Sequence, residues 1–89
     1  MEQRREVRKA MAARVRFGWT NPKGAHASTQ GMLEDISPGG ASMRVKESVE
    51  AGSRLDVEWG VRSFSGTVRY CKSSGMEFIL GIQKDERPA

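Results

Sequence analysis

The sequence contains few of the residues that build cross-links and metal sites. Among its 89 residues, Cys71 is the one cysteine and His26 the one histidine. A single cysteine excludes an internal disulfide and a cysteine-rich metal cluster, and a single histidine leaves no histidine-rich site. No nucleophile–base pair is visible along the chain. We therefore expect a protein without a bound metal and without enzymatic activity.

Long apolar runs are also missing. No segment approaches the roughly 20 apolar residues that a membrane span needs, and the charged N-terminus lacks the apolar core of a signal peptide. We therefore expect a cytoplasmic protein with no membrane span. With 89 residues, 37% of them hydrophobic, the chain has enough apolar surface for one small domain with one core.

The positive charge is concentrated at one end of the chain. Residues 1–16 hold six basic and two acidic side chains, which accounts for the whole net charge of +4. A localised cationic segment attracts anions such as phosphates, nucleic acids or acidic protein surfaces. Residues 1–11 carry little apolar surface, and so short an isolated segment forms no stable helix in water. They are predicted to be a flexible basic N-terminal arm.

From residue 13 onwards, apolar and polar residues alternate with the period of two that is typical of β-strands. Val15, Phe17 and Trp19 mark the first strand, and the second runs roughly over residues 26–36. Four further strands have the apolar faces Ala41, Met43 and Val45; Leu55, Val57 and Trp59; Phe64, Gly66, Val68 and Tyr70; and Met76, Phe78, Leu80 and Ile82. Six short strands separated by turns predict a small sandwich or a closed barrel.

Two short motifs could bind a ligand. Arg4 and Arg8, four residues apart, could clamp a phosphate or contact a guanine edge through their planar guanidinium groups, or could belong to a solvated tail. In the second motif, the Asp35 carboxylate could accept hydrogen bonds from guanine, and the Ser37 hydroxyl could contact a base or a phosphate. Gly40 would let the backbone approach a flat ligand. The alternative is an ordinary turn held by local hydrogen bonds.

The remaining unusual residues have structural explanations. Trp19 and Trp59 alternate with polar neighbours, which predicts core positions, although an indole can also stack on a nucleic-acid base. Cys71 is predicted to be a small packing residue in a strand. His26 is expected at a strand edge near a turn.

The order of the motifs carries more information than either motif alone. An Arg-x-x-x-Arg arm before the first strand, followed by Asp-x-Ser-x-x-Gly after the second, resembles the PilZ domain family. The Gly-Thr-Val-Arg-Tyr segment at 66–70 is similar to that family's Gly-x-Val-Arg-aromatic strand, and the Gly-Ile pair at 81–82 is similar to its closing segment. The resemblance extends over about residues 4–82.

The resemblance implies an all-β fold, a small six-stranded antiparallel β-barrel, divided into an arm (1–11), a barrel (12–84) and a tail (85–89). It also implies a bacterial second-messenger receptor that binds cyclic di-GMP and changes the conformation of its arm to signal to a protein effector, as yet unidentified. The implied ligand-binding residues are Arg4, Arg8, Asp35, Ser37 and Gly40.

Three positions qualify the resemblance. Arg69 matches a frequent family position and is expected to be structural or peripheral. Lys84 replaces an aromatic residue that the family often has two residues after the Gly-Ile pair, which bears on the packing of the last strand. Gln3 replaces a residue that is often basic, which bears on whether one ligand or a stacked pair binds.

Two other functions are compatible with this fold. One is a protein-interaction adaptor that binds no nucleotide. The presence of both ligand-binding motifs in complete form argues against this function. The other is a small barrel that binds single-stranded nucleic acid. A nucleic-acid groove usually collects cations from several strands, whereas acidic and basic residues balance beyond residue 16. We therefore do not expect nucleic acid as a partner.

Overall fold

The protein is a six-stranded β-structure. The computed structural model describes residues 9–85, and every regular element in that range is a strand. The strands are β1 (Lys9–Thr20), β2 (His26–Ile36), β3 (Gly40–Val45), β4 (Arg54–Trp59), β5 (Arg62–Ser74) and β6 (Glu77–Lys84). Within these residues there is no helix long and apolar enough to cross a membrane.

The strands close into a barrel in the order β1-β2-β3-β6-β5-β4, with β4 returning to β1, and all pairs are antiparallel. Closure gives each strand a partner on both sides and so removes the exposed sheet edges of an open structure. The predicted all-β fold and six-stranded antiparallel barrel are confirmed, and the sandwich alternative is excluded.

The core fills the barrel from alternate positions of all six strands. Phe17, for example, is 1% exposed, and its ring stacks on Trp19 with 5.2 Å between centroids. The other fully buried apolar residues are Val15, Leu33, Ala41, Met43, Val45, Val49, Leu55, Val57, Val68, Leu80 and Ile82. Trp19, Trp59 and Cys71 pack against this cluster while remaining partly exposed, as predicted for packing residues.

The two ends of the barrel differ. The loop of residues 46–53 crosses the end formed by the last residues of β3, and it inserts Val49, which is fully buried. Ser53 fixes this loop, because its hydroxyl donates to the Glu50 carbonyl at 2.6 Å and its backbone pairs with Val68. The opposite end is bordered by the β2–β3 turn and the β4–β5 turn, together with the start of β1 and the end of β6.

Strand β1 begins at Lys9, four residues before the start expected from the alternation. A register shift between Ala10 and Ala13 interrupts the pairing of β1 with β2. Before the shift, Lys9 pairs with Ile36 and Ala10 pairs with Asp35. The period of two breaks at the shift, so the sequence pattern does not reveal the first residues of the strand.

Candidate functional site

Four residues on neighbouring strands form a continuous row across the sheet. Asp35 of β2 pairs with Ser42 of β3, Ser42 pairs with Gly81 of β6, and Gly81 pairs with Tyr70 of β5. Ala41 and Leu80, which directly precede Ser42 and Gly81, are buried in the core, and Tyr70 itself is exposed. The row therefore lies on the outer face, with a carboxylate at one end, a phenol ring at the other and two small residues between them.

Register shifts re-aim the side chains at both ends of the row. One shift lies between Leu33 and Asp35 in the β2–β3 pair, and the other between Val68 and Tyr70 in the β5–β6 pair. A β-bulge adds one residue to a strand and so changes which face the following side chains occupy. Such bulges are over-represented beside functional sites.

The second shift corrects the expected placement of Tyr70. The alternation put Tyr70 on the same apolar face as Val68, but Tyr70 is 47% exposed, whereas Val68 is buried. Cys71 packs against the core instead. Met76 was likewise expected on an inward face, but it lies in the β5–β6 turn and is almost fully exposed.

The Tyr70 ring lies directly against the backbone of Gly81. A side chain at position 81 would overlap the ring atoms of Tyr70, so only glycine lets the ring lie flat on β6. The ring also has the Lys72 ammonium 5.7 Å from its centroid. These contacts hold the phenol at the surface beside Ser42 rather than out in solvent.

Asp35 is oriented by its neighbour in the row. The Ser42 hydroxyl donates a hydrogen bond of 3.0 Å to Oδ2 of Asp35, and both residues are half-buried. A carboxylate has about four lone-pair sites, so it can accept from a ligand as well as from Ser42. The predicted binding residue Asp35 thus lies at the outer surface with a defined orientation.

Ser37 and Gly40 close the β2–β3 turn on themselves. The Ser37 amide donates to the Gly40 carbonyl at 2.8 Å, and the Gly40 amide donates to the Ser37 hydroxyl at 3.2 Å. Ser37 is 5% exposed. Its hydroxyl therefore helps to hold the turn. This agrees with the alternative explanation of the motif as an ordinary turn held by local hydrogen bonds.

Gly40 also has a packing role. A Cβ at this position would lie 3.0 Å from the carbonyl oxygen of Ile82, which is tighter than an ordinary van der Waals contact. Glycine thus allows β3 to approach β6 closely at the start of the strand. Its role in letting a ligand approach stays a prediction.

Lys84 joins the end of β6 to the same turn. Its amide donates to the Gly39 carbonyl at 3.0 Å, and its Nζ donates to the Ser37 carbonyl at 3.2 Å. The Nζ also lies 5.2 Å from the centroid of the Phe64 ring. Lysine at this position therefore secures the last strand through a turn carbonyl and an aromatic face.

A shallow pocket of about 500 Å³ covers the row between Ser42 and Tyr70. It is lined by Gly39, Gly40, Ala41, Ser42, Arg69, Tyr70, Gly81, Ile82 and Gln83. The Arg69 guanidinium is held at its rim by a 2.9 Å hydrogen bond to the side-chain oxygen of Gln83. The volume of this pocket lies within the range of about 300–1,000 Å³ that is usual for ligand pockets.

Sequence reasoning identified Asp35 but not its companions in the row. Ser42, Gly81 and Tyr70 come from three different strands, and the pairing of β3 with β6 brings Ser42 and Gly81 together. The signals in the sequence were the Gly-Ile pair, which includes Gly81, and the Gly-x-Val-Arg-aromatic segment, which marked Tyr70 without giving its outward orientation. The predicted residues Arg4 and Arg8 lie outside the described residues.

Beside the row, Arg44 forms ion pairs with two glutamates. Arg44 Nε lies 2.8 Å from Glu34 Oε2, and Arg44 Nη1 lies 3.6 Å from Glu77 Oε1. The hydrogen bond from Glu34 raises the pKa of Arg44 above its ordinary value. In residues 9–85 there is no group of three or more histidine, cysteine or acidic residues that could hold a metal ion.

These features define a small closed β-barrel with a polar and aromatic platform on its outer surface. The family model of the PilZ domain matches residues 2–88. The chain belongs to the PilZ domain family, which confirms the resemblance seen in the motifs.

One solved structure with the same fold is described as the structure of the K. pneumonia MrkH–c-di-GMP complex. The TM-score is 0.70 at 13% sequence identity, over 99% of this chain and 47% of MrkH. The likeness shows the fold, and the chain spans about half the length of MrkH. A comparison with curated proteins gives no match.

Proposed function

We propose that this protein is a receptor for cyclic di-GMP and that a guanine base of the ligand lies on the outer row of the barrel. The observation that carries the proposal is the row itself, in which Asp35 and Tyr70 flank the small residues Ser42 and Gly81. This arrangement offers a hydrogen-bond acceptor, a flat floor and an aromatic ring to one planar group.

Each part of the row matches a property of guanine. The Asp35 carboxylate accepts hydrogen bonds from the guanine N1–H and N2–H groups, and the Ser42 hydroxyl holds the carboxylate in place for them. The exposed half of the Tyr70 ring offers a stacking surface, and base–aromatic stacking contributes about 1–3 kcal/mol per base. Arg69 at the pocket rim supplies a positive charge near the ligand phosphates.

The arginine pair supplies the remaining charge. Arg8 directly precedes Lys9, the first residue of β1, and the next residue, Ala10, pairs with Asp35. Arg8 is thus two residues from the pairing partner of Asp35, and we propose that Arg4 and Arg8 reach the ligand from this end of the row. In the proposed complex their guanidinium groups bind the phosphates and a guanine edge with charge-assisted hydrogen bonds.

Ligand binding then changes the arm. Ordering a residue costs about 1–2 kcal/mol of backbone entropy, and the charge-assisted bonds together with the covered guanine surface offset that cost. The ordered arm presents a new surface to a protein effector. In this account the protein is a non-enzymatic cytoplasmic receptor that acts by a change of shape.

The comparisons support this proposal. The chain is a PilZ domain over residues 2–88, and the similar MrkH structure is described as a complex with c-di-GMP. Nucleic-acid binding has less support, since both Trp19 and Trp59 pack against the core.

Isothermal titration calorimetry with cyclic di-GMP tests the proposal. We expect saturable binding that weakens at least about tenfold in Arg8→Ala and in Asp35→Ala, because each removes a charge-assisted bond. Lys23→Ala, in the exposed β1–β2 turn, is the matched control and should bind as the wild type does. Wild-type affinity in Arg8→Ala would refute the proposal that Arg8 binds the ligand.

The turn geometry favours a second candidate, an adaptor that binds no nucleotide. Ser37 and Gly40 both have structural roles in the turn, because they bond to each other and Gly40 lets β3 approach β6 closely. Absence of heat with cyclic di-GMP, in a sample whose circular dichroism shows folded β-structure, would favour the adaptor.

A further inference from the structure

The barrel end beside the β2–β3 turn forms an open pocket of about 820 Å³ on the described surface. It is bordered by residues from the start of β1, the β2–β3 turn, the β4–β5 turn and the end of β6: Met11, Ile36, Ser37, Pro38, Trp59, Val61, Arg62 and Lys84. We call it the end pocket. The opposite end is closed by Val49, so the end pocket is the apolar opening of the barrel.

Much of the end pocket is apolar and accessible. The Val61 side chain is fully exposed at the tip of the β4–β5 turn, and Met11, Ile36 and Trp59 are partly exposed while packing on the core. An apolar concavity rimmed by polar groups is typical of a protein-interaction site. Aromatic, methionine and arginine side chains, all present here, are enriched at such sites.

The charge of the end pocket has one sign. Arg62 and Lys84 are its charged residues, and their contacts are with neutral groups. The Arg62 guanidinium carbon lies 5.4 Å from the Trp59 ring centroid, and Lys84 Nζ contacts the Ser37 carbonyl and the Phe64 ring. In the described part of the chain, neither cation pairs with a carboxylate.

We propose that the end pocket docks an acidic amphipathic segment of a partner protein. Apolar side chains of the segment enter beside Val61 and Trp59, and its carboxylates pair with Arg62 and Lys84. Such a partner satisfies both properties of the pocket, because carboxylates complement its charge and aliphatic groups cover its exposed apolar surface. The charged residues of the end pocket, Arg62 and Lys84, are not among the residues proposed to bind the nucleotide, so the two sites can be tested separately.

Two other occupants fit the charge less well. The chain's own first eight residues carry three arginines against two glutamates, so their charge complements Arg62 and Lys84 less well than an acidic segment does. In a symmetric dimer through the end pocket, the same surface of each copy would face its counterpart, so the cations of Arg62 and Lys84 would approach like charges.

Nuclear magnetic resonance titration of the full chain with synthetic peptides tests the proposal. The probe is an acetylated, amidated peptide of sequence EDLFEDL. Its matched controls are KRLFKRL, which reverses the charge, and EDSSEDS, which removes the apolar groups. We expect saturable shifts of the Val61, Arg62 and Met11 amides with the first peptide, weakened about tenfold or more by each control peptide.

Variants locate the contact. Val61→Ser and Arg62→Glu alter exposed side chains and should each weaken EDLFEDL binding by about fivefold or more, while cyclic di-GMP binding, measured in parallel, stays unchanged and reports an intact fold. Lys23→Glu makes the same charge change in the β1–β2 turn at the opposite end and should bind the peptide as the wild type does.

Three results of the peptide titration would overturn the proposal. They are the absence of shifts with millimolar EDLFEDL, shifts that map away from the end pocket, and equal binding of KRLFKRL. Light scattering of the same samples tests whether a second copy of the chain, rather than a partner protein, occupies the end pocket. A concentration-dependent dimer that Val61→Ser abolishes would assign the end pocket to self-association instead.

Discussion

The contact between Tyr70 and Gly81 leads to a specific prediction about the proposed nucleotide site. In Gly81→Ala, the new Cβ occupies space that the Tyr70 ring fills. The β6 backbone is held between β3 and β5, whereas the Tyr70 side chain is 47% exposed. We therefore expect the ring to swing out into solvent while the barrel stays closed.

Both expected magnitudes follow from the position of the ring. About half of the tyrosine surface is covered, which corresponds to about 100 Å² for an aromatic side chain. At about 25 cal/mol per Å², and with the compactness of the unfolded chain taken into account, the loss of stability is about 2 kcal/mol. Loss of base stacking weakens cyclic di-GMP binding by about 1–3 kcal/mol, or roughly five- to 150-fold.

Urea unfolding and calorimetric titration measure the two effects. Gly18→Ala is the matched control, because its Cβ would meet atoms no closer than 3.6 Å, and replacing a strand glycine by alanine is otherwise favourable. Gly18→Ala should leave the affinity for cyclic di-GMP unchanged and the free energy of unfolding equal or higher.

A double-mutant cycle checks the cause. If Gly81→Ala acts by displacing the ring, it should weaken binding little further once Tyr70→Ala has removed that ring. Additive losses in the double variant would show that Gly81→Ala does not act by displacing the ring. Wild-type affinity in Gly81→Ala beside weak binding in Tyr70→Ala would show the same.

Three further predictions concern single contacts. Ser42→Ala removes the hydrogen bond to Asp35 and should weaken cyclic di-GMP binding about fivefold, a loss of about 1 kcal/mol, in calorimetric titration. Phe17→Ala empties a fully buried position and should lower the free energy of unfolding by about 3–5 kcal/mol in urea. Asp85→Asn removes the ion pair that lowers the pKa of Asp85 beside Arg54. Its destabilising effect should be present above about pH 4 and disappear as acid protonates the wild-type carboxylate below that pH.

Each of these predictions has a distinct control. Ser42→Thr keeps the hydroxyl and should restore much of the affinity, and equal affinity in Ser42→Ala would exclude an orienting role. Phe17→Leu should cost less than Phe17→Ala, and equal costs would contradict close packing around the ring. For Asp85→Asn, added salt should shrink the difference from the wild type because the pair is exposed, and a difference that does not shrink as the pH falls below about 4 would contradict the ionic cause.

The strand pattern of this chain could be predicted because most of it follows a strict alternation. Val15 and Phe17 on β1, and Leu55 and Val57 on β4, point inward as their spacing indicates. The turns also follow local rules, as at Asn21, whose side-chain oxygen accepts from two amides of its own turn. These features depend on neighbours in sequence.

The bulges could not be predicted in the same way. A bulge depends on how one strand fits its partner, and the alternation within a single strand carries no record of it. The inward prediction for Tyr70 was wrong for this reason. The first residues of β1 were missed because of a similar register shift.

The candidate site was predictable only in part. Asp35 and its turn are local in sequence, so their motif could be recognised. The part of the row beside Asp35 depends on the pairing of β3 with β6. In the sequence, these two strands are separated by the whole of β4 and β5. The residues Ser42 and Gly81 have no special chemistry of their own, and their role follows from their position between a carboxylate and a ring.

The most direct test of the account is the position of the nucleotide on the barrel. Intermolecular nuclear Overhauser effects should be recorded in a complex of the full chain with cyclic di-GMP. We expect contacts between a guanine H8 or ribose proton and the Tyr70 ring, with perturbed Ser42 and Gly81 amides. Ligand contacts confined to another face of the barrel, with the Tyr70 ring unchanged, would exclude the outer row as the binding site.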